Sequence, residues 1–129
     1  MSSLHLTVLP GTFAICRLPL DSDLPMWFLG QSFFAMLRNE NEATIVCRDA
    51  DIPEQVEREG GWSALKLEGS FAFTETGILA QILKPLADAK VGIFAVSSFE
   101  TDYVLIKAEN LKNARLALEG AGIGVSAHD

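Results

Sequence analysis

The sequence has only two histidines and two cysteines. His5 and His128 stand at opposite ends of the chain and no CxxC pair occurs, so the usual donor set for a zinc site is missing. No metal and no other cofactor is expected. Cys16 and Cys47 each sit inside an apolar stretch, which favours buried reduced thiols acting as small hydrophobes over a disulfide. No apolar run reaches the ~18 residues of a membrane helix. The nearest, from Leu24 to Leu37, is interrupted by Gly30, Gln31 and Ser32. A basic segment followed by an apolar one is also missing at the N-terminus, so no signal peptide is expected and a cytoplasmic location follows. The 10 Lys and Arg residues are scattered and outnumbered by 17 Asp and Glu, leaving a net charge of −7. Nucleic-acid binding leaves a basic footprint, and none is present. Nor is there a nucleophile beside a base or a glycine-rich phosphate loop. Glu40 with Glu42, and Asp49 with Asp51, are paired acids in a turn and a loop, where solvated carboxylates are expected. The reading is of a protein that is not an enzyme.

What the sequence does contain is a core. Of 129 residues, 49% are hydrophobic and 21% charged, enough for one average domain or two very small ones. The C-terminal half is the clearer. Trp62 to Leu67 alternates in part and predicts a strand. Ile78, Leu79, Ile82, Leu83, Leu86 and Ala89 recur at helical spacing and give one apolar face. Thr74 or Thr76 can accept the free amides at the start of this helix. Pro85 removes one backbone bond inside it, which predicts a bend, and Lys90 and Gly92 supply the stop. Val91 to Phe99 and Tyr103 to Ile106 then form a β-hairpin around Glu100-Thr101-Asp102. Asn110 caps a second helix, Leu111 to Glu119, ended by Gly120 and Gly122. Ile123 to Val125 makes a short last strand. The order is β-α-β-β-α-β.

Sliding the chain by 60 residues lays Ser32–Arg48 on Gly92–Ala108, so the hairpin recurs in the first half. The strand before it matches at a shift of 50, Ala14-Ile15 on Ala64-Leu65. The first copy has therefore lost about ten residues between strand and hairpin. Ser22 or Asp23 as cap, with Pro25 behind, leaves room for one or two helical turns there.

The segment from Phe73 through Thr76-Gly77-Ile78, Pro85-Leu86-Ala87 and Val96-Ser97-Ser98-Phe99 to Asp102 and Ile106 resembles the ACT domain, in its tandem aspartate-kinase-like subfamily. That subfamily takes in small uncharacterised bacterial proteins and the cytosolic arginine sensors of animal cells. The resemblance implies an α+β chain of two ferredoxin-like βαββαβ modules packed side by side with antiparallel sheets. Residues 1–59 would form the truncated module and 60–129 the complete one. It further implies a regulatory module that binds a free amino acid and couples occupancy to a homodimer or to a regulated protein partner. By position, Thr76, Gly77 and Ile78 match the strand-to-helix turn of the ligand site. Ser98, Phe99 and Asp102 match its hairpin.

The residues themselves allow this chemistry. A zwitterion needs an anion site and a cation site one amino-acid backbone apart. Amides at Gly77-Ile78-Leu79 open a helix, where the macrodipole favours a carboxylate. Gly77 either admits a ligand to the main chain, having no Cβ, or merely allows the turn. Asp102 either pairs with an ammonium or guanidinium group or is an ordinary hairpin-tip acid. Ser97 and Ser98 interrupt an apolar strand, one toward a ligand and the other toward solvent. Phe99 either walls the pocket or joins the core. One ligand site per chain is expected. The competing reading is a ligand-free interaction module that docks a partner protein on an exposed sheet edge.

Overall fold

A computed structural model of the protein describes residues 4–20, 27–69 and 76–127. The short helix expected after Ser22 or Asp23 falls outside those residues, as does Thr74. The chain divides into two compact units, Gly11–Trp62 and Met1–Pro10 together with Ser63–Asp129. One long strand, β5 (Glu57–Leu67), contributes its first half to the former and its second half to the latter.

In the C-terminal unit the expected β-α-β-β-α-β order is present. After β5 come α1 (Ile78–Asp88), β6 (Phe94–Ser97), β7 (Asp102–Lys107), α2 (Leu111–Gly120) and β8 (Gly124–Ala127). Ile82 and Leu86 of α1 are fully buried, as are Ala114 and Leu118 of α2. They pack with Leu65, Leu67, Val104 and Ile106, so the helical stripe and the alternating strand faces meet in one core. Pro85 sits within α1, and Ala89 N–H still reaches the Pro85 carbonyl at 3.1 Å, closing the last turn. Gly77, rather than a threonine, occupies the N-cap of α1, with no side-chain cap.

A further strand was not expected. Residues His5–Val8 form β1, which runs antiparallel to β5 (Leu6 opposite Leu67) and parallel to β8 (Leu6 opposite Val125). The order in this unit is β6-β7-β5-β1-β8. The last strand is thus held by the beginning of the chain, not by β5. The alternation of Leu4, Leu6 and Val8 was the readable signal; Leu4 and Leu6 are buried and Val8 packs on the same core.

The N-terminal unit consists of β2 (Phe13–Leu18), β3 (Ala35–Arg38), β4 (Ala43–Arg48), a 3-10 turn at Asp49–Asp51 and the first half of β5, in the order β3-β4-β2-β5. The hairpin recurs, but the offset is 59 and not 60. Ala35–Arg38 corresponds to Phe94–Ser97 and Ala43–Arg48 to Asp102–Lys107. The difference matters because a shift of one residue exchanges the two faces of a strand. At 59, the core residues Ile45 and Cys47 superpose on the core residues Val104 and Ile106. At 60, Val46 would take the place of Ile106, and Val46 faces away from that cluster. Few identities fix the alignment in sequence, so a one-residue error left the apolar pattern almost unchanged.

Cys16 and Cys47 are both buried and free, on the same face of neighbouring strands β2 and β4. Hydrogen bonding to Cys16 raises the Cys47 thiol above its ordinary range, and burial pushes it the same way. The Cys47 hydrogen bond lowers the Cys16 thiol in turn, but both thiols are buried, so the native protein should resist a thiol reagent near neutral pH and release two reactive thiols in denaturant. Rapid labelling of either cysteine in the native state would contradict the packing.

Where β5 passes β2, its pairing slips by one residue between Phe13 and Ile15. The extra residue forms a bulge at Gly60-Gly61, with Gly61 at φ +79. The Asp49 carboxylate accepts the Gly61 N–H at 2.9 Å and fixes the bulge to the 3-10 turn. A Cβ on Gly61 would meet nothing within 4 Å, so the cost of Gly61→Ala is conformational alone. Urea unfolding should show a loss of about 1–2 kcal/mol for this variant. An unchanged stability would mean that the left-handed conformation is not required.

Candidate functional site

The strand-to-helix turn and the hairpin singled out in the sequence both belong to the C-terminal unit. Gly77 begins α1 with φ +78 and ψ 1, a left-handed conformation that strains any residue with a side chain. A Cβ there would meet no atom within 4 Å, so the approach to the main chain is open among the described residues. The first intrahelical bond runs from Gln81 N–H to the Gly77 carbonyl at 3.1 Å. The amides of Ile78, Leu79 and Ala80 accordingly precede every helical acceptor. No acid occupies the first turn. The start of α1 thus combines amides that lack an intrahelical acceptor with the positive end of the helix dipole, and no acid of its first turn competes for it. Thr76 is exposed, and Ile78 is half-buried against the core.

At the hairpin, β6 and β7 are joined by Ser98 to Thr101. Ser98 N–H donates to the Thr101 carbonyl at 2.8 Å, and the Thr101 N–H donates to Ser98 Oγ at 3.2 Å. Ser98 is therefore engaged in closing the turn. Ser97 faces Asp102 across the ladder, and its hydroxyl donates to Asp102 Oδ1 at 2.6 Å. This bond orients the Asp102 carboxylate and leaves Oδ2 with no bond to Ser97. Phe99 is 82% exposed, so it is not a core residue and projects from the tip.

One residue of the turn holds this hairpin in place. Thr101 looked like a polar turn residue, yet it is only 7% exposed. Its hydroxyl donates to the carbonyl of Leu67, the last residue of β5, at 2.6 Å. A buried hydroxyl needs such a partner, and here the partner lies at the strand end that leads toward the α1 turn. The Ser97–Asp102 register gives Ser97 its role beside the carboxylate. The structure therefore brings Ser97, Ser98, Thr101 and Asp102 together at the hairpin and sets Thr76, Gly77 and Ile78 at the start of α1. Among the described residues there is no group of His, Cys, Asp and Glu that could hold a metal ion, and no helix is long and apolar enough to cross a membrane.

The ACT domain family matches residues 57–120. A separate profile, for an N-terminal domain, matches residues 11–55. A structural-genomics protein from Agobacterium tumefaciens is 34% identical, with a TM-score of 0.92 over 100% of this chain and 96% of its own. A protein of unknown function from Vibrio cholerae, described as a possible transport protein, is 17% identical with a TM-score of 0.75, over 92% of this chain and 90% of its own. The regulatory subunit of aspartate kinase from Thermus thermophilus shares the fold at 11% identity and a TM-score of 0.55, over 86% of this chain and 93% of its own. The matched domain begins with β5 and closes with α2, the strand, helices and hairpin described above, and the chain belongs to the ACT domain family.

Proposed function

We propose that the protein is a non-catalytic regulatory module that binds one free amino acid in its C-terminal unit and couples occupancy to association with a second copy or a partner protein. The observation that carries this is the start of α1: a left-handed Gly77 with open space where a side chain would be, followed by amides without helical acceptors. These donors suit an α-carboxylate. Asp102, oriented by Ser97, suits the ammonium or a cationic side chain. Thr76 and Ile78 flank the first group, Ser98 shapes the turn beside the second, and Phe99 is an exposed aromatic at the hairpin tip. ACT domains are typically regulatory small-ligand modules, which supports the reading.

A second reading, the ligand-free interaction module, is favoured by β3. Among the described residues of its unit this strand pairs only with β4, and it exposes Met36 by 42% and Leu37 by 60%. Such an edge can accept another strand.

A thermal-shift screen with the twenty amino acids separates the two. A ligand of the native state present at a hundredfold excess over its Kd stabilises by about 2.7 kcal/mol, several degrees in Tm. No stabilisation by any amino acid at millimolar concentration would remove the first reading and leave the second. For an amino acid that does stabilise, Asp102→Ala should weaken binding about 10- to 100-fold, the value of a hydrogen bond to a charged group. Unaltered affinity would take Asp102 out of the site. Light scattering with and without that ligand should show a change in the dimer population.

A further inference from the structure

Asp102 is the first residue of β7, and the residue before it spends its main chain inside the turn. Thr101 N–H donates to Ser98 Oγ at 3.2 Å. Its carbonyl accepts from the Ser98 N–H at 2.8 Å and from the Ser98 hydroxyl at 3.0 Å. Among the described residues, Thr101 therefore reaches β5 by hydrogen bond through its side chain alone, from its hydroxyl to the Leu67 carbonyl at 2.6 Å. The hydroxyl does what a ladder amide does elsewhere in a sheet, one residue beyond the start of β7.

Asp102 is thus fixed at two points. Ser97 sets the direction of its carboxylate through Oδ1 at 2.6 Å. Thr101 fixes the main chain one residue earlier, and so the distance of Asp102 from the end of β5. Thr101 is 7% exposed, and a buried hydroxyl that loses its partner is costly, so this bond is part of the fold and not a contact made with a ligand. The tip beyond it is solvated, with Phe99 82% exposed and Glu100 exposed beside it. A carboxylate held in place before binding loses less freedom on binding than one carried by an untethered tip.

We propose that Thr101 is the positioning residue of Asp102: through the Leu67 carbonyl it holds the carboxylate where a cationic group is received, and it thereby sets the affinity for the ligand. The effect on affinity rests on the amino-acid reading given above. Thr101 acts through Asp102, and its hydroxyl, not its bulk, carries the effect.

Thr101→Val keeps the shape of the side chain and removes the donor, whereas Thr101→Ser keeps the donor. Each full-length variant is titrated calorimetrically with each of the twenty amino acids. For an amino acid that binds the unsubstituted protein, Thr101→Val should weaken binding about 3- to 10-fold, the worth of one neutral hydrogen bond, and Thr101→Ser should restore it. In the Asp102→Ala background Thr101→Val should cause no further loss, because its influence passes through Asp102. A merely structural residue would lower affinity equally in both backgrounds. That result, or unaltered affinity in Thr101→Val, would overturn the proposal. The carboxyl carbon resonance of Asp102 in the free protein gives a readout without ligand: Thr101→Val should move it and Thr101→Ser should not. If no amino acid binds the unsubstituted protein, the amino-acid reading fails by itself. The resonance then decides for Thr101, and an unmoved one overturns its role. Should Thr101→Val not fold, Thr101→Cys takes its place, since a thiol is a weaker donor and should give the same losses in smaller measure.

Discussion

The structure depends above all on β5. Its first half supplies the backbone partners of β2, and its second half supplies those of β1 and β7. Each unit therefore lacks a complete sheet without its share of this one strand. The demands on the two halves differ. The first alternates exposed and half-buried residues, while Ser63, Ala64 and Leu65 are buried in succession, as expected for a strand covered on both faces. The Gly60-Gly61 bulge lies between these regimes and is fixed by Asp49. Thr101 adds a second tie at the end of the strand, where it holds the β6–β7 hairpin to Leu67.

From this shared strand the two units part in how they cover their sheets. The C-terminal unit uses two amphipathic helices, and among the described residues its buried cluster is large and aliphatic. The N-terminal unit has a smaller buried cluster built on Ala14, Cys16, Phe28, Ile45 and Cys47, with Leu18, Trp27, Ile52 and Val56 at its border. Two helices with free starts are costly to replace by irregular chain, because backbone groups in a connection need other partners. Arg58 meets part of that need: its guanidinium donates to the carbonyls of Ile52, Pro53 and Val56. Among the described residues the N-terminal unit has no α-helix, and so no helix start equivalent to the one at Gly77.

Much of the C-terminal unit was legible because its signals are local. Helical spacing from Ile78 to Leu86 and the polar break at Ser97-Ser98 locate α1 and the hairpin without reference to the rest of the chain. The open φ of Gly77 was also readable, since glycine before an apolar helix has few other uses. Three features were not readable, each for the same reason. The pairing of β1 with β8 joins the two ends of the sequence. The burial of Thr101 depends on a carbonyl 34 residues away. The bond from Ser97 to Asp102 depends on hairpin register, which a one-residue slip would change. The offset between the copies failed in the same way, by one residue. Phe99 is a different case: an aromatic at a strand end usually packs inward, and here the turn closed by Ser98 carries it outward.

The proposed function places a free amino acid at the start of α1 and at Asp102. Amide NMR titration of the full chain with an amino-acid mixture, then with its single members, tests it most directly. Saturable shifts concentrated at Gly77, Ile78 and Leu79, with a matching change at Asp102, are the predicted result. No saturable shift at these positions, with or without perturbation elsewhere in the chain, would contradict it.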